Sequence, residues 1–268
     1  MLMISDFLTL TEEDTVKDIL RQFLVIVTFA GMVTVNALAN ILPINGLQTG
    51  QVSDSLPIYF VPAGYVFSIW GLIYLALGAF TVYQALPSQR ENPAARTIGG
   101  WFILSNIVNG AWIFAWHYLR FTLSLVLMTA LLILLILIYL RLDETRKAAS
   151  TLEKWVVYVP FSIYLGWITV ATVANASGVL YNAGWDGFGI APQTWAVVML
   201  VIAGGLASFI TLTRRETAYT LVILWALAGI VVRQINVQAV AVTAGVMAGV
   251  AALALIVSRL MKRTPAAA

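Results

Sequence analysis

Long apolar runs alternate with short polar breaks along this chain. After a polar, acidic start over residues 1–20, hydrophobic spans read at about 22–42, 62–86, 98–119, 122–142, 155–181, 192–212, 217–234 and 237–260. Each is close to the roughly 20 residues of helix that cross about 30 Å of hydrocarbon. The pattern predicts eight membrane helices, the seventh being the shortest. In the polar start, Thr11 followed by Asp14 three residues on predicts the N-cap of a short surface helix, a variant of the capping box.

Composition sharpens that reading. Hydrophobic residues make up 61% of the 268 and charged residues only 10%. No soluble domain hides so much apolar surface, so the chain is expected to be an integral membrane protein of the all-α class, a polytopic helical bundle in contact with lipid. Cysteine is absent, which excludes disulfides, thiolate chemistry and Cys-ligated metals. The single histidine, His117, cannot make a metal site alone. The net charge of +3 is small and predicts no nucleic-acid partner.

The position of the basic residues matters more than their sum. With the N-terminus in the cytoplasm, Lys17, Arg21, Arg90, Arg96, Arg141, Arg146, Lys147, Lys154, Arg214, Arg215, Arg259, Lys262 and Arg263 all fall inside. Only Arg120 and Arg233 fall outside. This bias predicts an even number of spans with both termini cytoplasmic; the membrane is expected to be that of a bacterial cell. Ala37-Leu38-Ala39 resembles a signal-peptide cleavage site, but the flank before it is acidic and the apolar run is long, so the first span is read as a helix that stays. The longest outside segment, 43–61, carries Pro43, Gly46, Gly50 and Pro57 and no Lys or Arg. It is expected to fold back over the bundle.

No Asp, Glu or Lys lies inside a predicted span, which argues against a proton-coupled pump or a charged ion filter. Aromatic rings and amides remain. Within the fifth span, Tyr164, Trp167, Ala171, Asn175 and Gly178 recur three or four residues apart and share one helical face. A helix facing only lipid has no need of that mixture, so the face is expected to look into the protein. Asn36 and Asn40 in the first span, Trp70, Tyr74 and Gly78 in the second, and Asn106, Asn109, Trp112 and Trp116 in the third form comparable faces. By the alternation of helix direction, Asn36, Asn40, Tyr65, Phe67, Trp112, Trp116 and Asn175 lie in the outer half of the membrane. Trp70 and Trp167 lie nearer its middle. The faces predict an outer-half cavity walled by aromatic rings and covered by the 43–61 loop. Such walls suit a large flat apolar ligand whose edge an Asn or Tyr orients. Arg120 is a candidate partner for a ligand carboxylate.

Blander readings compete. Membrane Asn residues also act as interhelical glue, worth about 0.6 kcal/mol each. Trp101, Trp155, Trp185 and Trp195 fall at span ends and read as interface belt, and His117 and Arg233 read as interfacial anchors. Trp70, Trp112 and Trp167 sit away from the belts. The first four spans and the last four share no spacing of Gly, Pro or Trp, which weighs against an inverted-repeat transporter.

Three segments resemble the tryptophan-rich sensory protein / translocator protein family (TspO/MBR). Tyr164-Leu165, Trp167, Ala171-Thr172 and Asn175 are similar to that family's fifth-helix motif, with Ile163 where the family has proline. Pro62, Gly64, Val66, Phe67, Trp70, Leu72 and Tyr74 resemble its second-helix motif, with Ala63 for a proline, Tyr65 for a tryptophan and one residue missing near Ser68. Asn109, Trp112 and Trp116-His117 resemble its third-helix pattern. The resemblance covers about 22–182 and implies a five-helix unit with a pocket closed by the first loop. It also implies binding of porphyrins, such as protoporphyrin IX or haem, or of sterol-like molecules, and members often dimerise. On this reading the chain divides into a polar N-terminal segment (1–21), a TspO-like five-helix bundle (22–182) and a three-helix extension (183–268). The extension lies outside the family pattern; its small-residue faces, Gly204-Gly205 and Ala241, Gly245 and Gly249, are those of packing surfaces, and the chain is expected as a monomer or a homodimer.

The expectation is a membrane receptor or carrier for a flat hydrophobic ligand. The expected ligand-binding residues are Tyr65, Phe67, Trp70, Tyr74, Asn109, Trp112, Trp116, Tyr164, Trp167, Ala171 and Asn175. No cofactor is required, porphyrin or haem being a candidate ligand, and no metal or catalytic residue is assigned. The alternatives are a secondary transporter of a small metabolite, a membrane enzyme that degrades porphyrin with light and oxygen, and an interaction partner without a ligand.

Overall fold

The structure, a computed structural model, describes residues 2–42 and 44–261, with side chains from residue 14 onward. Pro43, Lys262 and Arg263, which entered the loop and charge readings, lie outside the described residues, as do the side chains of Thr11, Glu12 and Glu13. The helices in chain order are α1 (Leu2–Ile41), α2 (Thr49–Asp54), α3 (Ile69–Ala85), α4 (Pro93–His117), α5 (Phe121–Thr145), α6 (Thr151–Glu153), α7 (Val159–Asn182), α8 (Pro192–Arg214), α9 (Thr217–Arg233) and α10 (Gln238–Leu260). Tight 3-10 turns at Ile44–Gly46 and Gly64–Ser68 flank α2 and lead into α3, and a widened π turn, Lys154–Tyr158, joins α6 to α7. No strand occurs among the described residues.

Among the described residues seven helical segments are long and apolar enough to cross a membrane, α3 counting together with the Gly64–Ser68 turn that leads into it (Gly64–Ala85), and α9, at 17 residues, is a shorter apolar helix. Seventeen residues rise about 25 Å, the lower limit for spanning. The all-α, multi-pass membrane fold read from hydropathy is therefore the observed one. The N-cap expected at Thr11 is not: α1 runs through that position from Leu2. No Gly or Pro interrupts residues 1–30, and a helix already nucleated over an apolar span extends at little cost through residues that merely disfavour it. Elsewhere local signals act as expected. The Asn92 side chain accepts the Ala95 N–H (3.0 Å) with Pro93 in the first turn of α4, and Pro192 starts α8.

The chain forms two compact units. The first comprises residues up to Thr49 and Trp70–Phe161; the second comprises Gly50–Ile69 and Ser162 onward. In the first, α4 packs against α1 and α5. Its core is a ring cluster: Phe102 meets Phe80 at 5.3 Å, Phe161 at 5.2 Å and Phe29 at 6.3 Å, and Phe80 meets Phe161 at 5.1 Å. Near the first turn of α4, the Arg96 guanidinium grips the Asp18 carboxylate, with Nε 3.0 Å from Oδ2. Arg21 adds a second cation 3.4 Å from Asp18 and donates to the Arg90 carbonyl at 2.7 Å. Gln22 donates to the Gln84 carbonyl at 2.6 Å. These bonds tie α1 to the α3–α4 connection and leave the buried Asp18 carboxylate paired.

In the second unit α8, α9 and α10 pack on one another, and backbones approach closely. A Cβ at Gly204 would sit 2.7 Å from Met247 Cβ. One at Gly166 would sit 3.1 Å from the Tyr219 carbonyl oxygen and from Val222 Cβ. Glu216, just before α9, is buried and accepts a hydrogen bond from the Ser162 hydroxyl at 2.9 Å. The Thr211 and Thr220 hydroxyls bond to each other beside it.

Candidate functional site

The expected site residues divide between the two units. In the first, Trp70 and Tyr74 stand one turn apart on α3, and Trp112 and Trp116 one turn apart on α4, so each pair shares a face. The rings form a file. Tyr74 stacks on Trp70 at 5.6 Å, Trp70 on Trp112 at 6.2 Å and Trp112 on Trp116 at 5.9 Å, with interplanar angles of 24°, 27° and 20°. Phe121 closes it edge-on against Trp116 at 5.7 Å. Such offset stacks contribute about 0.5–1.5 kcal/mol each beyond their burial. Beside the file, Asn36 Nδ2 donates to Asn109 Oδ1 at 2.8 Å, both side chains being buried. Trp116 Nε1 donates to the Thr49 carbonyl at 3.2 Å. Trp112 Nε1 is buried with no hydrogen-bond partner among the described residues. A buried donor left so costs about 1–3 kcal/mol.

His117 is not the interfacial anchor expected of it. It is fully buried, with Nδ1 3.2 Å from the Ile44 carbonyl and Nε2 3.0 Å from the Thr49 hydroxyl. The carbonyl can only accept, so Nδ1 donates to it, and Nε2 and the Thr49 hydroxyl share a second hydrogen bond. Asn45 Nδ2 donates to the His117 carbonyl at 3.1 Å. The imidazole thus latches the 44–49 segment to the end of α4. A histidine at a span end reads as an anchor only where water reaches it; here a turn covers it, and the Asn45-Gly46 dipeptide was the sequence signal for that turn.

In the second unit the fifth-span face is buried at Tyr164, Trp167, Asn175 and Gly178, with Ala171 half-buried. Phe67 meets Trp167 edge-on at 5.7 Å. Tyr65, half-exposed, meets Trp225 edge-on at 5.4 Å. The Gly64–Ser68 turn that carries both rings is held by α9. The Ala63 N–H donates to the Gly229 carbonyl at 3.1 Å, and Trp225 Nε1 donates to the Val66 carbonyl at 3.1 Å. A Cβ at Gly229 would overlap Val66 Cγ2 and lie 3.0 Å from Pro62 Cβ, so this contact requires glycine. Trp225 escaped the sequence reading, although it lies within a span and away from its ends, like Trp70, Trp112 and Trp167. Arg233, read as an anchor, pairs with Asp54 at 2.6 Å.

A cavity of 430 Å³ opens in the second unit, lined by Tyr59, Phe60, Tyr181, Trp185, Asp186 and Trp195 among others. Trp185 and Trp195, read from the sequence as interface belt, meet at 5.4 Å. Trp155, also read as belt, is exposed. Among the described residues no group of three or more His, Asp or Glu side chains could hold a metal.

The sequence matches the family model described as "TSPO-like protein" over residues 22–257. The match continues past residue 182 through α8, α9 and most of α10, covering helices that the motifs alone left outside the pattern. No curated protein and no solved structure matches the chain.

Proposed function

The chain belongs to the TSPO-like protein family, and from that premise we propose that it is a membrane receptor or carrier that binds a flat hydrophobic ligand, a porphyrin such as protoporphyrin IX or haem, or a sterol-like molecule. The observation that carries this reading is the file Tyr74–Trp70–Trp112–Trp116, in which the buried indole N–H of Trp112 has no partner among the described residues. Parallel rings at stacking distance favour a ligand with an extended π face, and the N–H of Trp112 is a donor for an acceptor atom at its edge. Asn36 and Asn109 add a polar edge beside the rings. Tyr65, Phe67, Tyr164, Trp167, Ala171 and Asn175, also expected from the sequence to bind ligand, lie in the second unit, where the edge-on contact of Phe67 with Trp167 supports an aromatic wall. In this reading both termini lie in the cytoplasm, as the distribution of Lys and Arg favours.

The test is titration of the purified protein with protoporphyrin IX, followed through the porphyrin's Soret band and tryptophan quenching, with Trp112→Phe, Trp167→Phe and Asn175→Ala variants. Saturable binding at micromolar ligand, weakened about fivefold or more when Trp112 loses its N–H, is the expected result. Linear, non-saturating change that is equal in wild type and variants would mean that the porphyrin only partitions into detergent.

A further inference from the structure

The cavity in the second unit has a chemistry of its own. Its walls come from four pieces of chain: Pro57–Phe60, the end of α7 (Ser177, Leu180, Tyr181), the 183–191 linker (Trp185, Asp186, Gly187, Ile190) and the first turns of α8 (Pro192, Trp195, Ala196, Met199). They are fixed. Gln193 donates to the Tyr59 hydroxyl at 2.8 Å and Gln234 to the Tyr59 carbonyl at 3.0 Å. Trp195 Nε1 donates to the Gly187 carbonyl at 3.0 Å, across a turn in which Gly187 takes φ +67°. The volume, 430 Å³, lies in the range of small-molecule sites.

The lining includes five aromatic rings, Tyr59, Phe60, Tyr181, Trp185 and Trp195, and one ionisable carboxylate, Asp186; no Lys, Arg or His lines it. Arg233, the basic residue at the end of α9, is engaged with Asp54. Asp186 Oδ1 accepts the Phe188 N–H at 2.9 Å, which fixes the carboxylate at the linker. Electron-rich ring faces and a carboxylate attract a cation and repel an anion. The pocket lies between the end of one span and the start of the next, the level at which an amphiphile's head sits.

We infer that this cavity is a second binding site, distinct from the indole file, for a hydrophobic organic cation: an apolar body bearing an ammonium or comparable onium charge, seated among Tyr181, Trp185 and Trp195 with its charge towards Asp186. The site goes beyond the porphyrin reading and opposes it in sign, because a porphyrin's carboxylates would meet Asp186 with no basic residue in the lining.

The test exploits two probes of like shape and opposite charge. Equilibrium binding of tetraphenylphosphonium and of tetraphenylborate is measured on the full chain in nanodiscs of zwitterionic lipid, with empty nanodiscs subtracted. The wild type is expected to bind the phosphonium saturably and the borate only by partition. Asp186→Asn keeps an oxygen for the Phe188 N–H and so keeps the turn; it is expected to weaken phosphonium binding about fivefold and to leave the protoporphyrin titration unchanged. Saturable borate binding equal to that of the phosphonium, or phosphonium binding unaltered by Asp186→Asn, would overturn the assignment. Loss of porphyrin binding in Trp112→Phe with phosphonium binding intact would separate the two sites.

Discussion

The two units are packed by opposite means. The first fills its interior with rings: Phe29, Phe80, Phe102 and Phe161 at one level, the Tyr74–Trp116 file at another. The second brings backbones together over glycines at 166, 178, 204 and 229, each beside a side chain or carbonyl that a Cβ would crowd. Gly99, which accommodates the Arg21 stem, is the first unit's exception. In lipid there is little hydrophobic gain from helix association, so dispersion and fit decide stability. Rings achieve fit by bulk, glycines by proximity. A unit of the first kind should fail when atoms are removed, and one of the second kind when atoms are added.

That contrast can be broken by experiment. The largest effect is expected from Phe102→Ala, which empties the centre of the ring cluster; about 3 kcal/mol of stability should be lost in detergent unfolding, the low end for such truncations because lipid already solvates the apolar side chain. Gly229→Ala should follow at about 2 kcal/mol, by overpacking against Val66 and Pro62, and limited proteolysis should show the 62–68 turn released. Asn36→Ala should cost about 0.6 kcal/mol, the usual worth of one interhelical amide bond. Gly205→Ala meets nothing within 4 Å and should stay within about 0.5 kcal/mol of wild type. If Gly229→Ala proves as mild as Gly205→Ala, proximity is not what holds the second unit, and the comparison fails.

The spans were legible in the sequence because hydropathy reports the solvent, and lipid leaves helices as the natural outcome. The ring pairs at four-residue spacing, Trp70 with Tyr74 and Trp112 with Trp116, were legible for the same periodic reason. Other features were not. A short surface helix was read as starting at Thr11, apart from the first span, because a capping pattern was taken as a boundary where nothing interrupts α1. His117 was taken for an anchor because sequence position gives depth in a membrane but not what folds over it. Trp185 and Trp195 were read as belt because indoles at a span end serve equally well as belt and as cavity wall, and only their tertiary neighbours distinguish the two. The long 43–61 segment stood out in the sequence, but the division between the units at Thr49 and Gly50 has no local signature.

That division has a consequence for biogenesis. Residues 50–69 belong with a unit whose remainder begins at Ser162, so no single cut of the polypeptide yields both units whole. The bond from Trp225 to Val66 spans 159 residues. At the ribosome's pace of about 5–20 residues per second, the turn before α3 waits about ten to thirty seconds for the helix that holds it. Throughout that interval the nascent chain carries Tyr65 and Val66 without their α9 partners beside an already inserted span. Ribosome stalling or premature termination before residue 217 would therefore leave a defect near residue 65, far upstream of where synthesis stopped.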